Sequence, residues 1–259
     1  MTVAWNFRPG TLDEGVFNCV VAANEYQLPA KFLADDIVVD IGAHIGAFAY
    51  AVLARGCQNV YCVEADQENA RIAAVHLRRY LEQGLVKLVC GGVWRSDPND
   101  DQLFFDGYHP FPDSFPTLTG ILNTGNGSVI WGQGTPVRKI AFDEIIDSVT
   151  NQGQQRVRLL KLDCEGAEWP ILLTSRRLHL VDEICGEFHE IGGEYLEINE
   201  TNPAARPVFS TARFAKFTID ELTTVLGEAG FTVSYRRHQR PNGVIEGLGL
   251  FFAKRKNEE

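Results

Sequence analysis

The chain has 259 residues, of which 45% are hydrophobic and 22% charged, and this composition is ordinary for one large globular domain spanning 1–259. Its net charge of −10 argues against a nucleic-acid backbone or an anionic membrane as the main partner. No apolar stretch approaches the roughly 20 residues of a membrane span, and the N-terminus lacks the apolar core of a signal peptide. Six cysteines without a CxxC pair indicate buried free thiols, so we expect a cytoplasmic protein.

Strand and helix patterns alternate along most of the chain. Short apolar, β-branched runs predict strands at residues 37–41, 59–63, 85–90, 137–140, 157–162, 183–189, 231–235 and 248–253. Helical spacing and capping residues predict helices at residues 46–55, 66–81, 143–149, from about 167, and 218–228. This alternation is typical of βαβ units and predicts an α/β fold.

Two long segments break the alternation, at residues 91–133 and 191–216. The first is rich in Gly, Pro, Asp and Asn, with aromatic residues among them. Long irregular segments inside a compact domain are usually functional or disordered, and the aromatic residues argue against disorder. We therefore expect two irregular insertions, whose aromatic residues serve either an acceptor pocket or the core.

The motif DIGAHIG predicts a ligand-binding turn between a strand and a helix. Gly42 and Gly46 permit a sharp turn and a close approach of the backbone to a ligand. His44 stands where a dinucleotide fingerprint requires glycine, which disfavours a pyrophosphate. Glu64 ends the next strand, where an acid commonly accepts the hydroxyls of a ribose, and Asp40 suits a positively charged group. A ribose, positive charge and no phosphate together describe S-adenosylmethionine.

A structural explanation of the same motif stays open. Asp40 would then only cap the helix, and the two glycines would only pack. For His44, an exposed loop position is as reasonable as a contact with the ligand.

The stretch LLKLDCEGAEWPIL, residues 159–172, places three acids just after an apolar run. Asp163 ends a strand at the edge where ligands of open α/β sheets bind, so we assign it to the site. Glu168 lies at the start of a helix, where the helix dipole favours a carboxylate. Lys161 shares the strand face of Asp163 and can neutralise a carboxylate there. The role of Glu165 is left open.

The motif EFHE ends the next strand at the same edge. His189 is our first candidate for a general base, oriented by Glu187 or Glu190, and Asp163 is the second. A structural role for His189 is the alternative. Asp163, Glu187 and His189 have the chemistry of metal ligands, but no local ligand spacing supports a site, so no metal is predicted.

Four motifs in order, VVDIGAHIGAFA, YCVEAD, KLDCEGAE and GEFHE, make the chain resemble the FkbM-type methyltransferases. The segments RPGTLDEGVF, EYQLP, VRKIAFDEII and GLGLFFAKRK extend this resemblance over most of the chain. It implies a class I, Rossmann-like fold with a seven-stranded, mostly parallel sheet, an antiparallel last strand and helices on both faces. It also implies S-adenosylmethionine as cofactor and O-methylation of a hydroxyl on a natural product or glycan.

The resemblance also implies where the cofactor and acceptor lie. Residues 1–33 form a helical lid with Tyr26 over the cofactor, the segment after Cys90 lies near the adenine, and the two insertions roof the acceptor side. The predicted cofactor-binding residues are Asp40, Gly42, His44, Gly46, Glu64, Ala65, Gly92, Val93, Asp163 and Tyr26. The predicted catalytic residues are His189, Asp163 and Glu187.

Three other functions remain compatible with these patterns. One is an N- or carboxyl-methyltransferase, which can dispense with a base. The second is a nicotinamide-dependent oxidoreductase, against which His44 counts. The third is a non-catalytic binding protein on the same fold, which the intact acids and glycines disfavour.

Overall fold

The structure is a computed structural model that describes residues 5–110, 120–192, 209–239 and 243–256. Its centre is a seven-stranded sheet in the order β6-β7-β5-β4-β1-β2-β3. The strands are β1 (Ile37–Ile41), β2 (Asn59–Glu64), β3 (Val86–Cys90), β4 (Val157–Leu162), β5 (Val181–His189), β6 (Phe231–Gln239) and β7 (Ile245–Arg255). β7 pairs antiparallel with both its neighbours, and the pairs from β5 to β3 are all parallel. The predicted sheet is confirmed.

Helices cover both faces of this sheet, and two separate apolar clusters form the cores beneath them. The helices are α1 (Asp13–Phe17), α2 (Ala47–Leu53), α3 (Gln67–His76), α4 (Arg78–Glu82), α5 (Phe142–Val149), α6 (Glu168–Thr174) and α7 (Ile219–Glu228), with a π-helical turn at Asn18–Ala22 and a 3₁₀ turn at Leu178–Leu180. Asp66 caps α3 by accepting the N–H of Asn69 at 2.7 Å. The helix predicted at 66–81 is wrong in one respect, because it is interrupted at Leu77.

The register of the sheet brings the acids of the four motifs to one edge. Ile41 of β1 lies beside both Val63 of β2 and Leu162 of β4. Leu162 lies in turn beside Gly186 of β5. The residues that follow these positions therefore meet at the carboxyl end of the sheet, where open α/β sheets bind ligands.

The segment predicted to be irregular at 91–133 contains short strands. Gly92–Trp94 pairs with Lys139–Ala141, Leu103–Phe105 pairs with Thr135–Val137, and His109–Pro110 pairs with Leu122–Asn123. Strands of two or three residues are too short for any sequence periodicity, so the prediction missed them. Of the second segment predicted to be irregular, residues 193–208 lie outside the part of the chain that the structure describes.

All six cysteines are free, and Cys57, Cys62 and Cys185 are buried as predicted, whereas Cys19 and Cys90 are exposed. None of the described helices combines the length and the apolar character that crossing a bilayer requires.

Candidate active site

A cavity of about 610 Å³ opens at the carboxyl edge of β1, β2, β4 and β5. Its volume lies within the range of small-molecule sites. Of the predicted site residues, it is lined by Tyr26, Gly42, His44, Glu64, Ala65, Gly92, Val93, Asp163, Glu187 and His189. Asp40 and Gly46 are not among the lining residues, so a contact of these two with a cofactor stays a prediction.

The two glycines of the turn after β1 are required by neighbouring protein atoms. Gly42 has a φ of +80°, and a Cβ there would lie 1.7 Å from the carbonyl oxygen of Asp163. Gly46 has a φ of +87°, and its Cβ would lie 3.0 Å from Leu77 Cδ1. The structural explanation of these glycines therefore holds: Gly42 lets the ends of β1 and β4 pack closely, and Gly46 lets the turn pack against the end of α3.

His44 forms part of the cavity wall, and its backbone has a left-handed φ of +49°. Its backbone N–H donates to Glu64 Oε2 at 2.7 Å, and its Nε2 lies 2.8 Å from Thr124 Oγ1. Burial lowers the pKa of the His44 imidazole to about 4. The ring is therefore neutral at pH 7 and acts as a hydrogen-bonding wall of the cavity.

Glu64 is the anchor of the cofactor side. Its Oε2 accepts from His44, and its Oε1 accepts the N–H of Asp66 at 2.8 Å. Burial raises the pKa of Glu64 to about 7. Each carboxylate oxygen keeps a second lone pair, so Glu64 can still accept the two hydroxyls of a ribose. The residue type, its place at the end of β2 and its position on the cavity wall fit that ligand.

A buried lysine joins the two acids of neighbouring strands. Lys161 Nζ lies 3.4 Å from Asp40 Oδ1 and 3.5 Å from Asp163 Oδ2, and it donates to the carbonyl of Gly42 at 2.6 Å. Burial alone would lower the pKa of Lys161, but Asp163 and Asp40 raise it above its ordinary value. Burial raises the pKa of Asp40, whereas Lys161 favours its ionised form. Two carboxyl groups share one lysine here, and this excess of acid beside the cavity suits the positive charge of S-adenosylmethionine.

The N-terminal segment closes the cavity through contacts that sequence reasoning missed. Arg8 donates to Asp13 at 2.8 Å and to Asn69 Oδ1 at 2.7 Å. Asp13 accepts from Thr124 at 2.8 Å, which links this network to His44. These residues come from three distant parts of the chain, so no local sequence signal points to the network.

Tyr26 lies where the N-terminal segment meets the acceptor side. Its hydroxyl donates to Asp163 Oδ2 at 2.8 Å, and its ring packs edge-on against Phe48. Burial alone would raise the pKa of Asp163, but Lys161 and His189 lower it. Asp163 is therefore ionised at neutral pH and fixed by two partners.

His189 lies inside a cluster of carboxylates on the acceptor side. Its Nε2 is 3.3 Å from Glu165 and 3.8 Å from Glu187, and its Nδ1 is 3.4 Å from Glu168. Glu165, which sequence reasoning could not place, belongs to this cluster. Glu187 also lies 3.3 Å from Nδ1 of His238, a second residue of the cavity that sequence reasoning missed.

The charges of this cluster determine the protonation state of His189, the predicted general base. Burial alone would lower the pKa of His189, but Glu165 and Glu168 raise it well above its ordinary value. Burial and the neighbouring Asp163 also raise the pKa of Glu187. Burial raises the pKa of Glu165 to about 7. The carboxylates of this cluster therefore hold His189 protonated at neutral pH, which counts against a free imidazole base, because an imidazolium has no lone pair to accept a proton.

Two neighbours of His189 have structural roles. Glu168 accepts the N–H groups of Cys164 and Gly166 at 2.8 and 2.9 Å, so it stabilises the turn before α6, as predicted for the start of a helix. Glu190 accepts from the N–H of Ile219 at 2.9 Å. The alternative in which Glu190 orients His189 is wrong, because successive residues of a strand point to opposite faces.

The sheet order, the turn after β1 and the acid that ends β2 define a class I, S-adenosylmethionine-dependent methyltransferase. A family model described as the methyltransferase FkbM domain matches residues 40–233. The chain belongs to the FkbM methyltransferase family. No curated protein matches it.

Solved structures with a similar fold include other methyltransferases. The methyltransferase FkbM from Methylobacillus flagellatus KT is 18% identical with a TM-score of 0.45; the alignment covers 90% of this chain and 47% of that one. TrmK of M. capricolum, solved with S-adenosyl-homocysteine, is 9% identical with a TM-score of 0.46, and the alignment covers 92% and 68% of the two chains. This chain thus spans about half the length of the FkbM structure.

Proposed function

We propose that the protein methylates a hydroxyl oxygen of a small natural product or glycan. The observation that supports this is the meeting of Asp163, Glu187 and His189 on the wall of the cavity that also holds Glu64. Three strand spacings of about 4.8 Å separate β2 from β5, so the two groups lie about 14 Å apart along the sheet edge. That separation leaves room for a cofactor at one end and an acceptor at the other.

The chemistry of an alcohol acceptor explains why such a cluster is useful. S-adenosylmethionine, when bound, supplies an electrophilic methyl group on a sulfonium. A hydroxyl is a weak nucleophile, so a group that accepts its hydrogen bond and then its proton assists the transfer. The cluster of Asp163, Glu187 and His189 orients the hydroxyl, and a carboxylate of this cluster takes up the proton, while Glu64 fixes the ribose at the other end. Holding the reactants in line is itself a large part of such catalysis.

The lining of the acceptor side favours a neutral or cationic acceptor over an anionic one. Glu25, Glu165 and Glu246 line the cavity beside the cluster, and no arginine lines it within the described residues. Polyhydroxylated molecules such as glycans carry many hydrogen-bond donors that carboxylates accept. This lining also agrees with the expectation that nucleic acid is not a partner.

We place the reaction in the cytoplasm, because six free cysteines suit a reducing compartment. The proposed partner is therefore a small-molecule or glycan acceptor made or stored inside the cell.

A methyl-labelled cofactor tests the proposal. The protein is incubated with ¹³C-methyl S-adenosylmethionine and a panel of alcohols, glycans, amines and carboxylic acids, and products are assigned by NMR and mass spectrometry. We expect a methyl ether from a hydroxyl acceptor and loss of that product with Glu64→Ala. Glu82→Gln, an exposed acid on α4, is the matched control and keeps activity. Methylamines or methyl esters alone would overturn the proposal.

A further inference from the structure

Three potential metal ligands meet on the acceptor side of the cavity. One donor atom each of Asp163, Glu187 and His189 lies within 4.8 Å of the other two. No local ligand spacing marks them in the sequence, because they come from the ends of two neighbouring strands. The pairing of Leu162 with Gly186 places Asp163 beside Glu187, and His189 follows Glu187 on the same face.

His189 is placed like a metal ligand whose ring orientation is fixed by a second residue, Glu168. Its side chain is only 3% exposed, and its Nδ1 has no hydrogen-bond partner of good geometry in the described ranges. Nδ1 faces Glu168, whose carboxylate is itself fixed by two backbone N–H groups. A carboxylate behind one imidazole nitrogen is the usual support of a metal-binding histidine. When a cation replaces the proton on Nε2, Glu168 can hold the remaining proton on Nδ1, and the lone pair of Nε2 then faces Glu187.

The main competing explanation is a cluster of carboxylates that only balances positive charge from the cofactor. That explanation accounts for the acids, and an ion pair of protonated His189 with Glu165 and Glu187 accounts for the buried imidazole. Only a cation site also predicts specific binding of a divalent cation, which a titration detects directly. Ligands of an octahedral cation lie about 2.1 Å from it, so neighbouring ligands are about 3.0 Å apart and opposite ones about 4.2 Å apart. The three donor atoms, which lie within 4.8 Å of one another, must therefore draw closer together to coordinate one cation.

We propose that Asp163, Glu187 and His189 bind one divalent first-row transition cation, with Mn²⁺ as its representative. One imidazole and two carboxylates suit such a cation better than Ca²⁺ or Mg²⁺, which prefer oxygen ligands alone. Three protein ligands leave coordination positions open on the cavity side, and Glu165 lies close enough to hold a bound water.

The role of this cation rests on the proposed function, but its binding does not. A divalent cation held by these three residues would make a coordinated acceptor hydroxyl more acidic. The proton would pass to the carboxylate of Glu165, while the oxygen takes the methyl group from the sulfonium and S-adenosylhomocysteine leaves. Within the cluster, His189 would then hold the cation instead of accepting the proton.

Mn²⁺ binding is measured directly on the full-length protein. The protein is treated with EDTA, dialysed against metal-free buffer, saturated with S-adenosylhomocysteine and titrated with Mn²⁺, while EPR follows the loss of the free-ion signal. We expect one Mn²⁺ per chain. Pulsed EPR should then show coupling to one directly bound imidazole nitrogen.

Two variants and one matched control locate the site. Glu187→Gln and His189→Gln should each weaken Mn²⁺ binding at least tenfold, and His189→Gln should also abolish the nitrogen coupling. Glu82→Gln, which removes an exposed acid on α4 outside the cavity, should leave Mn²⁺ affinity unchanged. Retained S-adenosylhomocysteine binding shows that the Glu187 and His189 variants are folded.

The outcomes separate this inference from the proposed function. Three results would each overturn the cation site. These are a wild-type protein that binds no Mn²⁺, equal weakening of binding by all three variants, and absence of the nitrogen coupling. Specific Mn²⁺ binding without methylation of any hydroxyl acceptor would leave the cation site standing and count against O-methylation. If the protein still forms a methyl ether after EDTA treatment and binds no Mn²⁺, O-methylation would stand and the cation site would be overturned.

Discussion

The carboxylate of Glu64 accepts the backbone N–H of His44 at 2.7 Å, so the acid that ends β2 holds the turn that follows β1. The same carboxylate accepts the N–H of Asp66 at the start of α3. Glu64 therefore stabilises the two turns that form the cofactor side, besides facing the cavity itself. A single substitution at this position should disturb cofactor binding before anything else.

Glu64→Ala should weaken binding of S-adenosylhomocysteine by about 10- to 100-fold, or about 1.4–2.7 kcal/mol. The loss comes from the carboxylate as acceptor of the ribose hydroxyls, since hydrogen bonds to charged groups contribute about 1.5–3 kcal/mol each. Calorimetric titration measures the effect, with Glu82→Gln on the surface of α4 as control. An affinity equal to that of the wild-type protein would contradict the ribose assignment.

Cofactor affinity should also depend on pH through Glu64, whose pKa burial raises to about 7. Hydroxyl donors bind the ionised carboxylate, so binding lowers this pKa and the protonated form must lose its proton first. Affinity should then fall by up to tenfold per pH unit as the pH drops below about 7. Glu64→Gln, which cannot ionise, should show a flatter profile. The same slope in this variant would assign the effect to another group, such as Glu25.

Substitutions of two adjacent residues at the end of β5 should affect different properties, turnover for His189 and stability for Glu190. His189→Ala should lower turnover by 10²-fold or more and leave cofactor affinity nearly unchanged, since His189 belongs to the acceptor side. Glu190→Gln should leave the chemistry intact but lower the free energy of unfolding by about 2 kcal/mol, because Arg237 donates to its carboxylate at 2.6 Å. Steady-state kinetics and urea denaturation of both variants make the comparison. Unchanged turnover in His189→Ala would remove it from the catalytic group.

The large elements of this fold could be predicted because their signals are local. Apolar β-branched runs and helical spacing identify each strand and helix within about ten residues, and the motif order gives the sheet. The short strands at 103–105 and 122–123 were missed because their partners, and not their own residues, make them strands. The break at Leu77 was missed for a related reason, since helical spacing continues through it.

The candidate site could be predicted only in part, because many of its contacts join residues that are distant in the sequence. Strand ends identified Glu64, Asp163 and Glu187, since each follows an apolar run. The contact of His189 with Glu165, and not with Glu190, depends on the path of the chain after β4. The simple alternation of a strand would nevertheless have placed Glu190 on the other face.

Lys161→Met should destabilise the protein by about 3–5 kcal/mol, because it leaves Asp40 buried without a cation. Asp40 is completely buried, so its carboxylate cannot regain hydration. Adding Asp40→Asn to this variant should restore a large part of the loss. Urea denaturation of the two single variants and the double variant gives the coupling free energy. Additive effects would show that the two side chains do not stabilise one another.

Gly42→Ala should destabilise the protein far more than Gly84→Ala, although both glycines have a left-handed φ, of +80° and +71°. Gly84 has no atom within 4 Å of the added Cβ, so alanine there costs only the backbone strain of about 1–2 kcal/mol. At Gly42 the Cβ would lie 1.7 Å from the carbonyl oxygen of Asp163, so the ends of β1 and β4 must separate. Urea denaturation and S-adenosylhomocysteine titration of both variants separate the cost of the steric clash at Gly42 from the cost of backbone strain. Equal stability of the two variants would mean that the turn can move away from β4 at little cost, and the close contact would then not explain the glycine.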